Sequence, residues 1–174
     1  VGLYEPDSGQ RLTRADGSTS LLLASIPIAM AETSTLPSHQ RLDRYDEGID
    51  FLGYDLAGAL PGTPPRITAG GALTVTLHWQ TRHYLDKDYT VFLHLADGDR
   101  PVAQADGQPQ GGAYPTSIWN PNEHIPDVHV LSVVPDLAPG AYRLLAGLYY
   151  LPTNKRLLIP GDGCACTRTD VLIL

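Results

Sequence analysis

Six histidines and several closely spaced aspartates are the residues here best suited to acid–base chemistry or metal binding. His78 and His94 each occupy a polar position in an alternating stretch, so both are expected opposite an apolar face and as candidate cross-strand neighbours. His83, His124 and His129 fall in or near loops. No HxH or HExxH spacing occurs, and His124 to His129 is not a helical pair in this context. The sequence therefore indicates no metal and no cofactor. Asp86 and Asp88 flank Lys87, and Asp97 and Asp99 flank Gly98. Carboxylates on a turn can gather calcium with backbone oxygens. Aspartates bonding their own turn backbone account for both pairs more simply. Ser117 lacks the Gly-x-Ser-x-Gly elbow of a hydrolase nucleophile. The pairs Gly70-Gly71 and Gly111-Gly112 are not a phosphate loop; the second frees the backbone for the turn into Tyr114. No catalytic residue is expected.

One loop stands out, "QPQGGAYPTSIWNPNEH", with Tyr114, Trp119, Asn120, Asn122 and Glu123 between two strands. Exposed Tyr and Trp rings beside amides would stack on a sugar ring and bond its hydroxyls. These five are the candidate ligand-binding residues, for a glycan. The competing reading makes Trp119 the plug of an open end of the fold. Trp79, on an alternating strand, reads as core.

The elements that must position this loop read as strands. Leu73, Val75, Leu77 and Trp79 alternate with Thr74, Thr76, His78 and Gln80, and Tyr89, Val91, Leu93 and Leu95 repeat the theme. "DGDR" at 97–100 is a hairpin turn, and "PVAQAD" is its return strand. Val128 and Val130 continue the pattern, with Ser132 after them. After a Pro-Gly turn, Tyr142, Leu144, Ala146, Leu148 and Tyr150 share a face. No stretch keeps a 3.6-residue period over three turns. The 17 glycines and 15 prolines fall between short apolar runs. The expected fold is all-β: a two-sheet antiparallel β-sandwich, immunoglobulin/fibronectin-like or jelly-roll-like.

The 174 residues suffice for one domain with a good core, or one domain and a piece of another. A formal charge of −7 argues against nucleic acid and against an anionic membrane surface. Cys164 and Cys166, the two cysteines, are poorly spaced to bridge each other and too few for a four-cysteine metal site. No apolar run reaches membrane-spanning length. Leu21 to Ala31 ends in Ala-Met-Ala like a signal-peptidase site, but Glu5, Asp7 and Asp16 precede it where a basic segment belongs.

The two ends of the chain resemble each other. Gly2-Leu3-Tyr4 matches Gly147-Leu148-Tyr149, Arg11-Leu12 matches Arg156-Leu157, and Asp16-Gly17 matches Asp162-Gly163 with one residue inserted. A period of about 145 residues implies tandem copies of one domain. Residues 1–28 then read as the terminal hairpin of a preceding copy, 29–48 as a linker and 49–174 as a complete sandwich. The leading hairpin is expected to pair with an exposed sheet edge, in cis or in a neighbouring chain.

The strings "LTVTLHWQ", "DYTVFLHL", "YPTSIW", "PGAYRLLAGLY" and "KRLLIPGDG" carry a resemblance. From about Ile49 to Leu174 the chain resembles the extracytoplasmic C-terminal β-sandwich module of bacterial multi-span membrane proteins similar to dolichyl-phosphate-mannose mannosyltransferases. Val1 to Ile28 matches that family's terminal hairpin, and the cysteines in "GDGCACTR" depart from the pattern. The resemblance implies a non-catalytic accessory domain on the outer face of a larger membrane-associated protein, with a structural or interaction role. Its partner would be a neighbouring protein domain; the alternative is a carbohydrate-binding module using the Tyr114–Trp119 loop.

Overall fold

The computed structural model describes residues 5–13, 15, 17, 36–62 and 64–160, and strand backbone at 168–169 and 172–173. Cys164, Cys166 and most of the leading hairpin lie outside the described residues. The chain divides into two compact units, Val1–Thr33 and Ser34–Leu174.

The second unit is a two-sheet antiparallel β-sandwich. The first sheet holds β1 (His39–Arg44), β2 (Ile49–Ala57), β3 (Ala72–Thr81) and β6 (Ile125–Ser132), in the order β1-β2-β3-β6. The second is built on β5 (Arg100–Gln104), β4 (Thr90–Asp97) and β7 (Arg143–Tyr150). On the far edge of β7 lie β8 (Lys155–Arg156), at Tyr149–Tyr150, and β11 (Leu172–Ile173), at Leu145–Ala146. A two-residue pair, β9 (Leu158–Ile159) with β10 (Arg168–Thr169), completes the strands. Beyond these, the described residues hold only short 3-10 turns.

The core follows the alternation. Val75, Leu77 and Trp79 from β3 meet Val91 and Leu93 from β4 and Ala146 and Leu148 from β7, all buried. Burying each such aliphatic or aromatic side chain stabilises the fold by about 1.5–3 kcal/mol relative to exposure.

Two elements, β1 and β6, depart from the sequence reading. Residues 39–48, expected in the linker, form β1 and a 3-10 turn at Asp46–Gly48. Five of the six β1 side chains are exposed, so no apolar period marks the strand; backbone pairing to β2 holds it. On β6 the faces are reversed from expectation: Val128 and Val130 point to solvent, while Ile125, Asp127, His129 and Leu131 are buried. Strand β2 changes phase midway. Phe51 pairs with Trp79 and Gly53 with His78, leaving Leu52 as a β-bulge. Ile49 and Phe51 therefore face inward before the bulge, and Tyr54 and Leu56, opposite Leu77 and Val75, after it. Gly53 is required there: its φ is 137°, and a Cβ would meet the His39 carbonyl oxygen at 2.2 Å.

In the first unit, the Glu5 N–H donates to Gln10 O at 2.9 Å, and Gly9 has a left-handed φ of 67°. At the matching offset in the second unit, Tyr150 pairs with Lys155 and Asn154 has a left-handed φ of 53°.

Candidate functional site

The loop singled out by sequence closes one end of the sandwich. Gln110, Gly111 and Gly112 all have positive φ, which swings the chain toward Tyr114. Trp119 is fully buried in the core cluster with Trp79, Tyr45 and Phe51. Its indole N–H donates to the Tyr114 carbonyl at 3.0 Å. A stacking platform needs a ring face open to solvent, and Trp119 has none. It is the plug of this end, not a sugar platform.

The other loop candidates bond within the loop or to the adjoining end of β3. Glu123 Oε2 accepts from the Tyr114 hydroxyl at 2.8 Å and from the Asn120 backbone N–H and side-chain amide at 3.2 and 3.0 Å. The shared hydrogen bond raises the Tyr114 hydroxyl and lowers the Glu123 carboxyl from their ordinary pKa values. Asn122, with φ 63°, gives its backbone N–H to Thr81 O at 2.8 Å. Thr116, which the sequence reading passed over, matters as much. Its buried hydroxyl accepts from the Tyr89 N–H at 2.9 Å and donates to Lys87 O at 2.7 Å. Asp88 accepts from the Ser117 N–H, so it serves a turn.

The histidines form three separate pairings. His78 and His94 are not cross-strand neighbours, because β3 and β4 belong to different sheets. On the outer face of the first sheet, His78 bonds Asp55 through Nε2 at 2.7 Å and His124 through Nδ1 at 2.8 Å. Burial acts to raise the Asp55 carboxyl, but two Ser38 hydrogen bonds and His78 outweigh it and hold the group at about 2. Burial and the neighbouring His78 lower His124. On the second sheet His94 bonds Asp106 at 3.0 Å. The third pairing is interior, on β6. His129 Nε2 lies 2.7 Å from Asp127 Oδ2, and Nδ1 lies 2.9 Å from the Ala105 carbonyl. Both ring nitrogens face acceptors, an arrangement that favours the doubly protonated imidazolium. Burial opposes that charge, but Asp127 and the carbonyl prevail and raise His129 above its usual value. Asp127 Oδ1 accepts from the Gln110 N–H at 2.7 Å. The pair thus fastens an edge strand of one sheet to the chain leaving the other.

Among the described residues no group of three or more His, Cys, Asp or Glu side chains is placed to hold a metal ion.

At the opposite end the sheets part around a cleft of about 580 Å³. Leu73, Leu95, Val133 and Leu144, all nearly buried, belong to its lining, together with partly buried Tyr54, Leu56, Ile67, Leu137 and Tyr142. The volume and apolar lining suit a small-molecule site. Sequence reasoning did not assemble this cleft. The available signal was two Gly- and Pro-rich loops, 58–71 and 133–142, adjoining the Leu73 and Leu144 strand ends.

No protein-family model matches the chain, and no curated protein or solved structure matches it.

Proposed function

We propose that this chain is a non-catalytic β-sandwich accessory domain, on the outer face of a larger membrane-associated protein, that works by interaction rather than turnover. The observation that carries the reading is the fate of its ionisable side chains. Asp55, His78, Asp88, Asp127, His129 and Glu123 are each bonded to a loop backbone or a neighbouring side chain within the fold. The large cleft, where a substrate would have room, is mainly apolar. Acid–base chemistry needs a titratable group facing the reacting atoms, and these groups face protein instead. The strand and loop resemblance supports the accessory role and the outer-face placement. The left-handed residue that recurs at Gly9 and Asn154, at the same offset, supports two related units in tandem.

Two measurements test the reading. With Ser132→Cys, an exposed β6 position, intact cells of the producing organism are expected to label with a membrane-impermeant maleimide above the unsubstituted background. Labelling only after lysis would overturn the placement. The double variant Asp55→Asn, His124→Gln is expected to leave the parent protein's activity unchanged. Loss of turnover with an intact fold would overturn the non-catalytic role.

A further inference from the structure

We propose that the cleft between the sheets binds a single-chain amphiphile: an aliphatic body seated among Leu73, Leu95, Val133 and Leu144, and an anionic head held by Arg66. The proposal rests on the interaction role above and names its ligand class.

The body is argued from the lining. Four nearly buried aliphatic side chains and the partly buried Leu56, Ile67 and Leu137 present apolar surface, in a volume sufficient for one small ligand. Removing that surface from water drives binding without directional contacts. Tyr142 spends its hydroxyl on the Ala138 carbonyl at 2.6 Å and so offers the cleft chiefly its ring. His39 stacks on Tyr54 with ring centroids 4.5 Å apart, and its Nδ1 faces the Ser38 hydroxyl.

The head is argued from charge. The chain carries 19 acidic residues against 12 lysines and arginines, yet none of the residues lining the cleft is acidic. Arg66 is exposed, and its guanidinium makes no ion pair and no hydrogen bond among the described residues. The short backbone pairing of Leu60 with Arg66 fixes that residue's main chain. A guanidinium presents a planar fork of donors that fits a carboxylate with two hydrogen bonds. An incoming anion thus meets a forked donor and no like charge in the lining.

Isothermal titration with decanoate tests this, with decanol as the uncharged body and acetate as the bodiless head. Decanoate is expected to bind with one site per chain, and acetate not at all. Arg66→Gln is expected to weaken decanoate on the order of tenfold, the effect of one surface charge-assisted contact, and to leave decanol unchanged. Leu144→Trp is expected to abolish binding of both. Ile67→Trp, at a partly buried loop position, serves the same end should Leu144→Trp fail to fold. Absence of decanoate binding to folded protein at millimolar concentration would overturn the proposal. So would equal weakening of decanol by Arg66→Gln. Co-sedimentation with anionic phospholipid vesicles without binding of free decanoate would assign the surface to a bilayer and likewise overturn it. The accessory reading fails separately, by maleimide labelling only after lysis or by loss of parent activity in the double variant.

Discussion

At one end of the sandwich Trp119, Trp79, Tyr45 and Phe51 fill the space between the sheets; at the other Leu73, Leu95, Val133 and Leu144 border a cleft. The loops at the two ends differ in the same sense. The filled end is held by side-chain bonds: Thr116 to two backbone groups, Asp88 to Ser117, Trp119 to Tyr114, and Glu123 to Tyr114 and Asn120. At the cleft end the ties are mostly backbone to backbone, such as Gly70 to Val134 and Val133 to Gly71. Trp119 fills volume, and its indole N–H fastens the loop around it. The aliphatic residues and prolines around the cleft carry no such donor. Specific side-chain hydrogen bonds thus gather at the filled end, and chiefly backbone pairing orders the loops at the cleft end.

The comparison can be broken by substitution. Trp119→Ala is expected to cost about 3–5 kcal/mol, the range for emptying a buried aromatic site, read as a lower urea midpoint at unchanged slope. Asp127→Ala removes the buried partner of His129 and the acceptor of the Gln110 N–H, and is expected to cost about 3 kcal/mol by the same measurement. Thr116→Val leaves the Tyr89 N–H and Lys87 carbonyl without their hydroxyl partner, at about 1–3 kcal/mol. Leu137→Ala, on the cleft side and only partly buried, is expected to cost less than about 1 kcal/mol. A loss at Leu137 equal to that at Trp119 would abolish the distinction between the ends.

Proton linkage sharpens it. His129 is raised in the folded state, so its contribution is fully present below its unfolded pKa and is lost as pH rises through the folded value. His124 is lowered, so its contribution is present above the unfolded pKa and is lost as pH falls through the folded value. Denaturant midpoints measured across the histidine range are expected to show both slopes. His129→Gln should remove the alkaline one, and His124→Gln the acidic one.

Sequence alternation marked β3, β4 and β7 because each turns one apolar face inward, and the turn at 97–100 joined β4 to β5 as its residues require. Trp79 was legible as core for the same reason. Strand β1 escaped because nearly all its side chains are exposed. β6 misled because an ion pair occupies its inner face and two valines its outer one. Exposed Val128 and Val130 look like core to any hydropathy rule, and buried Asp127 and His129 look like surface. In the Tyr114–Trp119 loop the residue types were visible, but an indole that stacks on a ligand and one that stoppers a core have the same letters. The cleft was hidden because its lining is scattered over β1, β2, β3, β4, β7 and two loops, and only the tertiary fold brings them together.

The bulge at Leu52 governs what length changes this chain can tolerate. Removing that one residue would restore an uninterrupted two-residue repeat along β2. Phe51, Tyr54 and Leu56 would still face inward and Asp55 would stay on the His78 side, because the pairing with β3 already skips Leu52. A single-codon deletion here would therefore keep both faces of the strand, whereas one within the unbulged β3 would exchange the inner and outer faces of every residue beyond it.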